Sequence, residues 1–446
     1  MTNIDVDRLG CAGRAPARPA VSFVTLGCAK NEVDTADMTA RVQAAGFAVT
    51  DDVAAADAAV INTCSFIQAA TEESLQAIFE VSGLAGFDDG SRKLVVAGCL
   101  PARYGAELEG ELSEASAFVP CSREDDIVEV LRGLFPEAAL DAAAGDGAPS
   151  PWAGHPAAYV KIADGCNRFC SFCAIPYIRG RFRSFPLDDI RRAVTERVAA
   201  GVREVTLIAQ DTGRWGADLP APSSTARLLS ALADEFPDTW FRLMYVEPDG
   251  VTDELLDAIA SHPNVCRYLD VPLQHASARV LAAMNRRGSY DENLALVRRM
   301  RERVPGITLR STFIAGFPGE TEDEFQELLD FLEEAELDYA GVFAYSREEG
   351  TRAADLPDQV PDDEKEERAR LLREMADSIG HARTAARVGQ TLDVLVLGRE
   401  EDGQLYGRAA CQAPEVDGVT YLETGEPGEV VSVTIEDTLL YEMEGA

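Results

Sequence analysis

Asp164-Gly165-Cys166-Asn167-Arg168-Phe169-Cys170-Ser171-Phe172-Cys173 spaces its cysteines by three residues and then by two. Thiolates are the usual protein ligands of iron–sulfur clusters. Three of them on one short loop hold three corners of a cubane and leave one iron open to a small molecule. Structural zinc wants four ligands, in two CxxC-like pairs. A ferredoxin run supplies a fourth cysteine followed by proline. Neither pattern is present, so the loop predicts a reactive [4Fe–4S] cluster on Cys166, Cys170 and Cys173.

Outward from this loop the pattern is α/β. Ile190, Val194 and Val198 mark a helix that Gly201 ends. Residues 204–209, 268–272, 308–315 and 339–344 read as strands. Thr321 and Glu324 form a capping box ahead of the apolar stripe Phe325, Leu328, Leu329 and Leu332. These βα units predict a full or partial βα barrel over residues 157–387, with the charged segment 362–387 as a connecting helix. Upstream, residues 21–26, 58–62 and 93–97 are short apolar runs separated by helical patterns such as Leu75, Ile78 and Phe79. Such alternation predicts a doubly wound parallel sheet over residues 21–135. Residues 136–156, rich in Ala, Gly, Pro and Asp, read as a linker, and residues 1–20 as a loose extension. Downstream, residues 392–397 read as a strand, Asp402-Gly403 as a turn before Leu405-Tyr406, and Val431, Val433 and Ile435 alternate with polar neighbours. A small all-β barrel over residues 388–446 is expected.

No run in the 446 residues is apolar for the roughly 18 positions of a membrane span, and residues 1–20 lack the apolar core of a secretory signal. A cytoplasmic protein without a membrane partner is expected. In a reducing compartment its ten cysteines are metal ligands, catalytic thiols or spectators rather than disulfides. The net charge of −36 repels phosphate backbones and attracts basic partners, unless it reflects only the solubility habit of an acid-rich proteome.

Cys28, Cys64 and Cys99 each follow an expected strand, in Leu26-Gly27-Cys28, Asn62-Thr63-Cys64 and Ala97-Gly98-Cys99. Their separations of 36 and 35 residues are about one βαβ period. Sites in open parallel sheets form beyond the carboxyl ends of strands, so these three can hold a second cluster.

The first loop resembles the CxxxCxxC motif of the radical S-adenosylmethionine superfamily. With both cysteine triads, the chain resembles the methylthiotransferases over nearly its whole length. That resemblance implies two [4Fe–4S] clusters, a cluster domain, a radical domain and a C-terminal TRAM domain. One S-adenosylmethionine supplies the radical and another the methyl group. Phe172 is expected against the adenine. Gln210, Asp211 and Gln274, at expected strand ends, are candidate cofactor contacts, or else caps of neighbouring loops. Leu26-Gly27-Cys28-Ala29-Lys30-Asn31, Asn62-Thr63-Cys64-Ser65-Phe66-Ile67, Ile208-Ala209-Gln210-Asp211-Thr212, Pro272-Leu273-Gln274-His275-Ala276 and Ala413-Pro414-Glu415-Val416-Asp417-Gly418 resemble the branch that modifies ribosomal protein S12 (uS12). The implied reaction adds a methylthio group to the β-carbon of an aspartate of uS12. Implied partners are uS12, an electron donor such as flavodoxin or ferredoxin, and a sulfur donor; a monomer is expected. The alternatives are a tRNA adenosine methylthiotransferase and a non-enzymatic iron–sulfur carrier or electron-transfer protein.

Charge bears on that choice. From Gly389 onward thirteen acids face two cations, Arg399 and Arg408. An RNA-binding module should be basic, whereas an acidic one suits docking on a basic ribosomal protein. Arg179, Arg181 and Arg183 form a basic island after the cluster loop, suited to a carboxylate, to the cluster surroundings or to a structural ion pair. Gly316-Phe317-Pro318-Gly319-Glu320 resembles an adenine-side loop, or is a simple turn. His275 receives no role. Cys11, Cys121, Cys266 and Cys411 read as spectators, with Cys121 inside the cluster domain.

Overall fold

Ala58–Thr63 is buried at all six positions, as a parallel strand covered on both faces must be. In a computed structural model, which describes residues 18–138, 140 and 150–446, it is the central strand of a parallel sheet. Most of the expected N-terminal extension, with Cys11, and residues 141–149 of the expected linker lie outside the described residues. The described chain divides into two compact units. The first holds residues up to Gly27, Asp34–Ser65 and Ala70–Pro151, and the second Cys28–Val33, Phe66–Ala69 and Trp152–Ala446.

In the first unit β1 (Ala20–Thr25), β2 (Ala48–Val49), β3 (Ala58–Thr63), β4 (Lys93–Gly98) and β5 (Ala117–Pro120) pair in the order β2-β1-β3-β4-β5, all parallel. Side chains alternate between faces. Ala58, Val60, Val95 and Val119 pack with Met38 and Val42 of helix Ala29–Ala44 and with Ile127 and Leu131 of helix Ile127–Leu134. Ala59, Ile61, Leu94 and Val96 pack on the other side with Ile78 and Val81 of helix Gln68–Ser82. The doubly wound expectation therefore holds. The edge strands β2 and β5 escaped it, because two and four residues carry too little periodicity to read.

In the second unit β6 (Ala157–Lys161) leads into a small antiparallel ribbon, β7 (Ala163–Asp164) with β8 (Arg183–Ser184), which brackets the Cys166–Cys173 loop. Then follow β9 (Glu204–Ile208), β10 (Trp240–Leu243), β11 (Val265–Asp270), β12 (Thr308–Ala315) and β13 (Tyr339–Ala344). The six long strands form one open sheet in the order β13-β12-β11-β10-β9-β6, all parallel, so the barrel is partial. One face carries the large apolar core beneath the helices. Thr321 caps helix Glu322–Ala335 through the expected box with Glu324. The expected strand at 268–272 begins earlier, at Val265, and stops at Asp270. The exposed Arg267 interrupts its apolar run, and Pro272 has no N–H for a ladder.

Helix Asp362–Ala385 leads to β14 (Thr391–Arg399), β15 (Leu405–Ala409), β16 (Thr420–Leu422), β17 (Val430–Leu439) and β18 (Glu442–Gly445), which close into a barrel. The turn at Asp402-Gly403 joins β14 to β15 in antiparallel register, Arg399 opposite Leu405.

Ionic contacts join this barrel to the second face of the open sheet. Glu204, at the start of β9, is fully buried between two arginines. Arg242 Nε of β10 donates to its Oε1 at 2.8 Å, and Arg408 of β15 donates to its Oε2 from Nε at 2.9 Å and Nη2 at 2.6 Å. Asp417 accepts from the Tyr268 hydroxyl and from Ala413 N–H, with Arg310 Nε 3.4 Å away. Burial nevertheless pushes its carboxyl up to about 6.

Candidate active site

The cluster loop leaves β7 through Gly165, whose φ of +74° suits glycine. A Cβ there would lie 2.6 Å from the Arg181 carbonyl carbon and 2.7 Å from Gly180 O. Only a bare backbone lets the loop pass the turn that follows it, where Cys166 N–H donates to Gly180 O. Cys166 is buried, and Cys170 and Cys173 are partly so; all three are free thiols. They lie near enough to disfavour one another's charge, and burial, the larger effect, pushes Cys166 up to about 11 and Cys173 up to about 12. Three soft donors gathered on one loop fit an iron–sulfur cluster, which binds them as thiolates.

Five charged residues organise the loop. Arg168 Nε donates to Asp211 Oδ2 at 2.7 Å, Nη2 to Asp211 Oδ1 at 3.2 Å and Nη2 to Asp249 Oδ1 at 2.5 Å. Arg286 Nη1 reaches Cys170 Sγ at 3.6 Å, while its guanidinium grips Glu247 at 3.1 and 2.5 Å. Burial raises the Asp211 carboxyl despite Arg168. A groove of about 800 Å³ opens here, lined among others by Asn167, Cys170, Glu247 and Arg286. Arg168 and Arg286 carried no sequence signal of their own. Arg286 lies 116 residues from Cys170, beyond any local pattern.

Of the candidate cofactor contacts, Gln210 donates through Nε2 to Asp164 at 3.0 Å, leaving its Oε1 buried without a partner. Gln274, at φ +71°, also keeps a buried, unpartnered Oε1. Two amide oxygens beyond the ends of β9 and β11, on either side of β10 and both short of a donor among the described residues, fit a ligand that carries N–H groups, as S-adenosylmethionine does. Both Asp211 oxygens are engaged by Arg168. Phe172 packs beside Val280, Leu281, Met284, Phe317 and Tyr345. The loop at Gly316–Glu320 is more than a turn: Glu320 is buried, accepts from Gly316 N–H at 3.1 and 3.0 Å and from Arg368 Nη1 at 2.8 Å, and lies 3.3 Å from His275 Nε2.

In the basic island only Arg179 is buried. It donates through Nη2 to Asn31 Oδ1 at 2.7 Å and lies 3.4 Å from Asp164. Burial would raise Asp164, but Lys161 and Arg179 outweigh it and hold that carboxyl below its usual range. Arg181 and Arg183 are exposed and cover the rings of Phe169 and Phe185. The structural ion pair is therefore the role Arg179 plays.

In the first unit Thr63 pairs with Gly98, so the buried Cys64 and Cys99 leave adjacent strands side by side. Gly98 sits at φ +93°, and a Cβ on it would lie 2.6 Å from Thr63 O. Cys121 follows β5, and its N–H donates to Gly98 O at 2.9 Å. In the second unit Cys28 is exposed and precedes helix Ala29–Ala44. Next on that helix, Lys30 is buried against the face of Tyr245, 3.2 Å from the ring centroid. Cys266 and Cys411 are buried within apolar clusters.

An open parallel βα sheet with three thiols on the loop after its first strand defines a radical S-adenosylmethionine enzyme, a class that works with an iron–sulfur cluster and S-adenosylmethionine. The radical SAM superfamily model matches residues 160–332, the model described as uncharacterized protein family UPF0004 matches residues 20–120, and the TRAM domain model matches residues 388–446. In fold the chain is similar to the radical S-adenosylmethionine methyltransferase TsrM from Kitasatospora setae, at TM-score 0.55 and 15% identity over 74% of this chain and 72% of that one. In sequence it is similar to proteins named ribosomal protein uS12 methylthiotransferase RimO. That of Trichlorobacter lovleyi is 40% identical over 96% of this chain and 98% of its own length. That of Pelotomaculum thermopropionicum is 41% identical over 95% and 98%. That of Sorangium cellulosum is 43% identical over 95% and 90%. The chain belongs to the uS12 methylthiotransferase (RimO) family.

Proposed function

We propose that this chain adds a methylthio group to the β-carbon of an aspartate of ribosomal protein uS12. Its radical cluster sits on Cys166, Cys170 and Cys173, and a second cluster on Cys28, Cys64 and Cys99. The observation that carries the reading is the three-thiol loop, in a fold unit that also holds two buried amide oxygens without donors among the described residues, in a chain about 40% identical to named uS12 methylthiotransferases over nearly full length. On this reading residues 21–135 are the cluster domain, 157–387 the radical domain and 388–446 the TRAM domain.

When bound, the cluster and S-adenosylmethionine supply a 5′-deoxyadenosyl radical able to take a hydrogen atom from carbon. The protein supplies position and charge. Gln210 and Gln274 accept hydrogen bonds from the N–H groups of S-adenosylmethionine, and Phe172 offers a ring to its adenine. Asp211 acts at one remove, holding Arg168 and through it the cluster loop. Arg286 keeps a cation beside Cys170, which stabilises negative charge on that thiolate. The groove beside Cys170 gives an electron donor such as flavodoxin or ferredoxin its approach to the cluster.

Substrate choice rests on the C-terminal barrel. Arg408, one of its two cations, is buried on Glu204. The charge exposed on its outer surface is therefore almost wholly acidic. Glu400, Asp402, Glu423, Glu436 and Glu444 line a depression of about 440 Å³. Such a surface attracts a lysine- and arginine-rich protein and repels RNA.

Two measurements test the reading. Mass spectrometry of uS12 from cells with and without the gene should find a methylthio increment on one aspartate. Its absence, or a methylthio nucleoside in tRNA that depends on the gene, refutes the substrate. The Cys28→Ala/Cys64→Ala/Cys99→Ala protein should lose about four of about eight reconstituted irons. An unchanged iron content refutes the second cluster.

A further inference from the structure

Lys30 carries a positive charge that the fold does not pair. The residue is 8% exposed, and Nζ lies over the Tyr245 ring. Among the described residues no hydrogen bond or ion pair reaches Nζ. The charged groups around it are Cys28, Arg179, Asp270 and Asp164. The two acids are already engaged. Asp164 faces Arg179 and Lys161 and accepts from Gln210, and Asp270 lies 3.3 Å from Arg310 Nη1 and accepts from Tyr245 N–H at 3.1 Å. A ring face returns only a small part of what an ammonium loses on leaving water, so Lys30 is built to meet an anion that arrives from outside.

Its location says which anion. Tyr245 lies just beyond β10, Asp270 ends β11, and Asp164 immediately precedes the cluster loop, so the ammonium stands at the carboxyl ends of the strands, where barrel enzymes do their chemistry. Tyr245 is held at φ +62°, an uncommon backbone state for an aromatic residue and one that concentrates at working sites. We propose that Lys30 binds the carboxylate of the target aspartate. That carboxylate is attached directly to the β-carbon, so one charge-assisted hydrogen bond also fixes the carbon that reacts. The same cation selects an acidic side chain over a neutral one of the same shape. The inference rests on the uS12 aspartate as substrate.

The test uses the reconstituted full-length protein and synthetic peptides of the uS12 target loop, with Asp or Asn at the modified position. Affinity is read by fluorescence anisotropy, beside iron and sulfide content. Wild type should prefer the Asp peptide by about 10- to 100-fold. Lys30→Met should bring that ratio to about 1, and Lys30→Arg should keep part of it, both with full iron content. A Lys30→Met protein that keeps the preference overturns the proposal. So does one that loses iron, because Lys30 would then serve the Cys28 cluster. A wild type that neither binds nor methylthiolates the Asp peptide refutes the uS12 reading itself, and this proposal with it.

Discussion

Glu204→Gln removes one negative charge from a site where it compensates two buried guanidiniums. The Glu204 side chain is 0% exposed, as is that of Arg242, and that of Arg408 is 8% exposed. Burial alone would raise the Glu204 carboxyl, but Arg408 and Arg242 outweigh it and hold it below its usual range. The substitution keeps size and shape, so no cavity opens and the effect isolates charge. Breaking a buried ion pair from one side costs about 3–5 kcal/mol, because the partner stays buried and uncompensated. At roughly 2 °C per kcal/mol for a unit of this size, Tm should fall by about 6–10 °C. Urea and thermal unfolding followed by tryptophan fluorescence give the measurement, since Trp240 opens β10 two residues before Arg242. Arg408→Gln should cost less, because Glu204 keeps Arg242. The double variant should lose less than the sum of the two single losses, giving a coupling of at least about 1 kcal/mol. A loss under about 1 kcal/mol for Glu204→Gln, or strict additivity, would refute the idea that this charge clamps the C-terminal barrel to the open sheet.

Glu32 has its carboxyl pushed up to about 7, first by burial and then by the charge of Glu415, with which it shares a hydrogen bond. A raised acid holds its proton in the folded state, so its contribution is full below pH 4.5 and is lost as pH rises through about 7. Wild-type Tm should therefore fall between pH 5 and 8, and Glu32→Gln should flatten that slope; an equal slope in both counts against the pairing. Gly98→Ala should cost about 2–4 kcal/mol from its positive φ and the overlap with Thr63, and should lower iron content, because Cys99 is displaced from Cys64. Gly110→Ala, where a Cβ meets nothing within 4 Å, should be neutral or slightly stabilising in the same assays. Arg286→Gln takes the cation from beside Cys170 and leaves Glu247 with only the more distant Arg168, so the midpoint potential of the reconstituted radical-site cluster should become more negative in an EPR-monitored titration. An unchanged or higher potential contradicts the role given to Arg286.

The three cysteines at 166, 170 and 173 were legible in the sequence because a cluster loop is local: all its thiols lie on one short stretch, and spacing alone limits what they can hold. The strands 58–62 and 93–97 and the capping box at Thr321 and Glu324 were legible for the same reason, since a continuous apolar run buried on both faces and a helix cap are each written within a few residues. β10 was not, because a fully buried arginine stands in the middle of Trp240–Leu243 and breaks the apolar run. That arginine is stable there only because Glu204 and Arg408 meet it from two other strands, one of them 204 residues from its partner. The cation beside Cys170, the two amide oxygens without donors and the unpaired ammonium of Lys30 are of the same kind. Local pattern determines which chain segments form strands, helices and ligand loops. Whether a buried charge is compensated depends on where its partners stand in space, and that was decided by the tertiary structure.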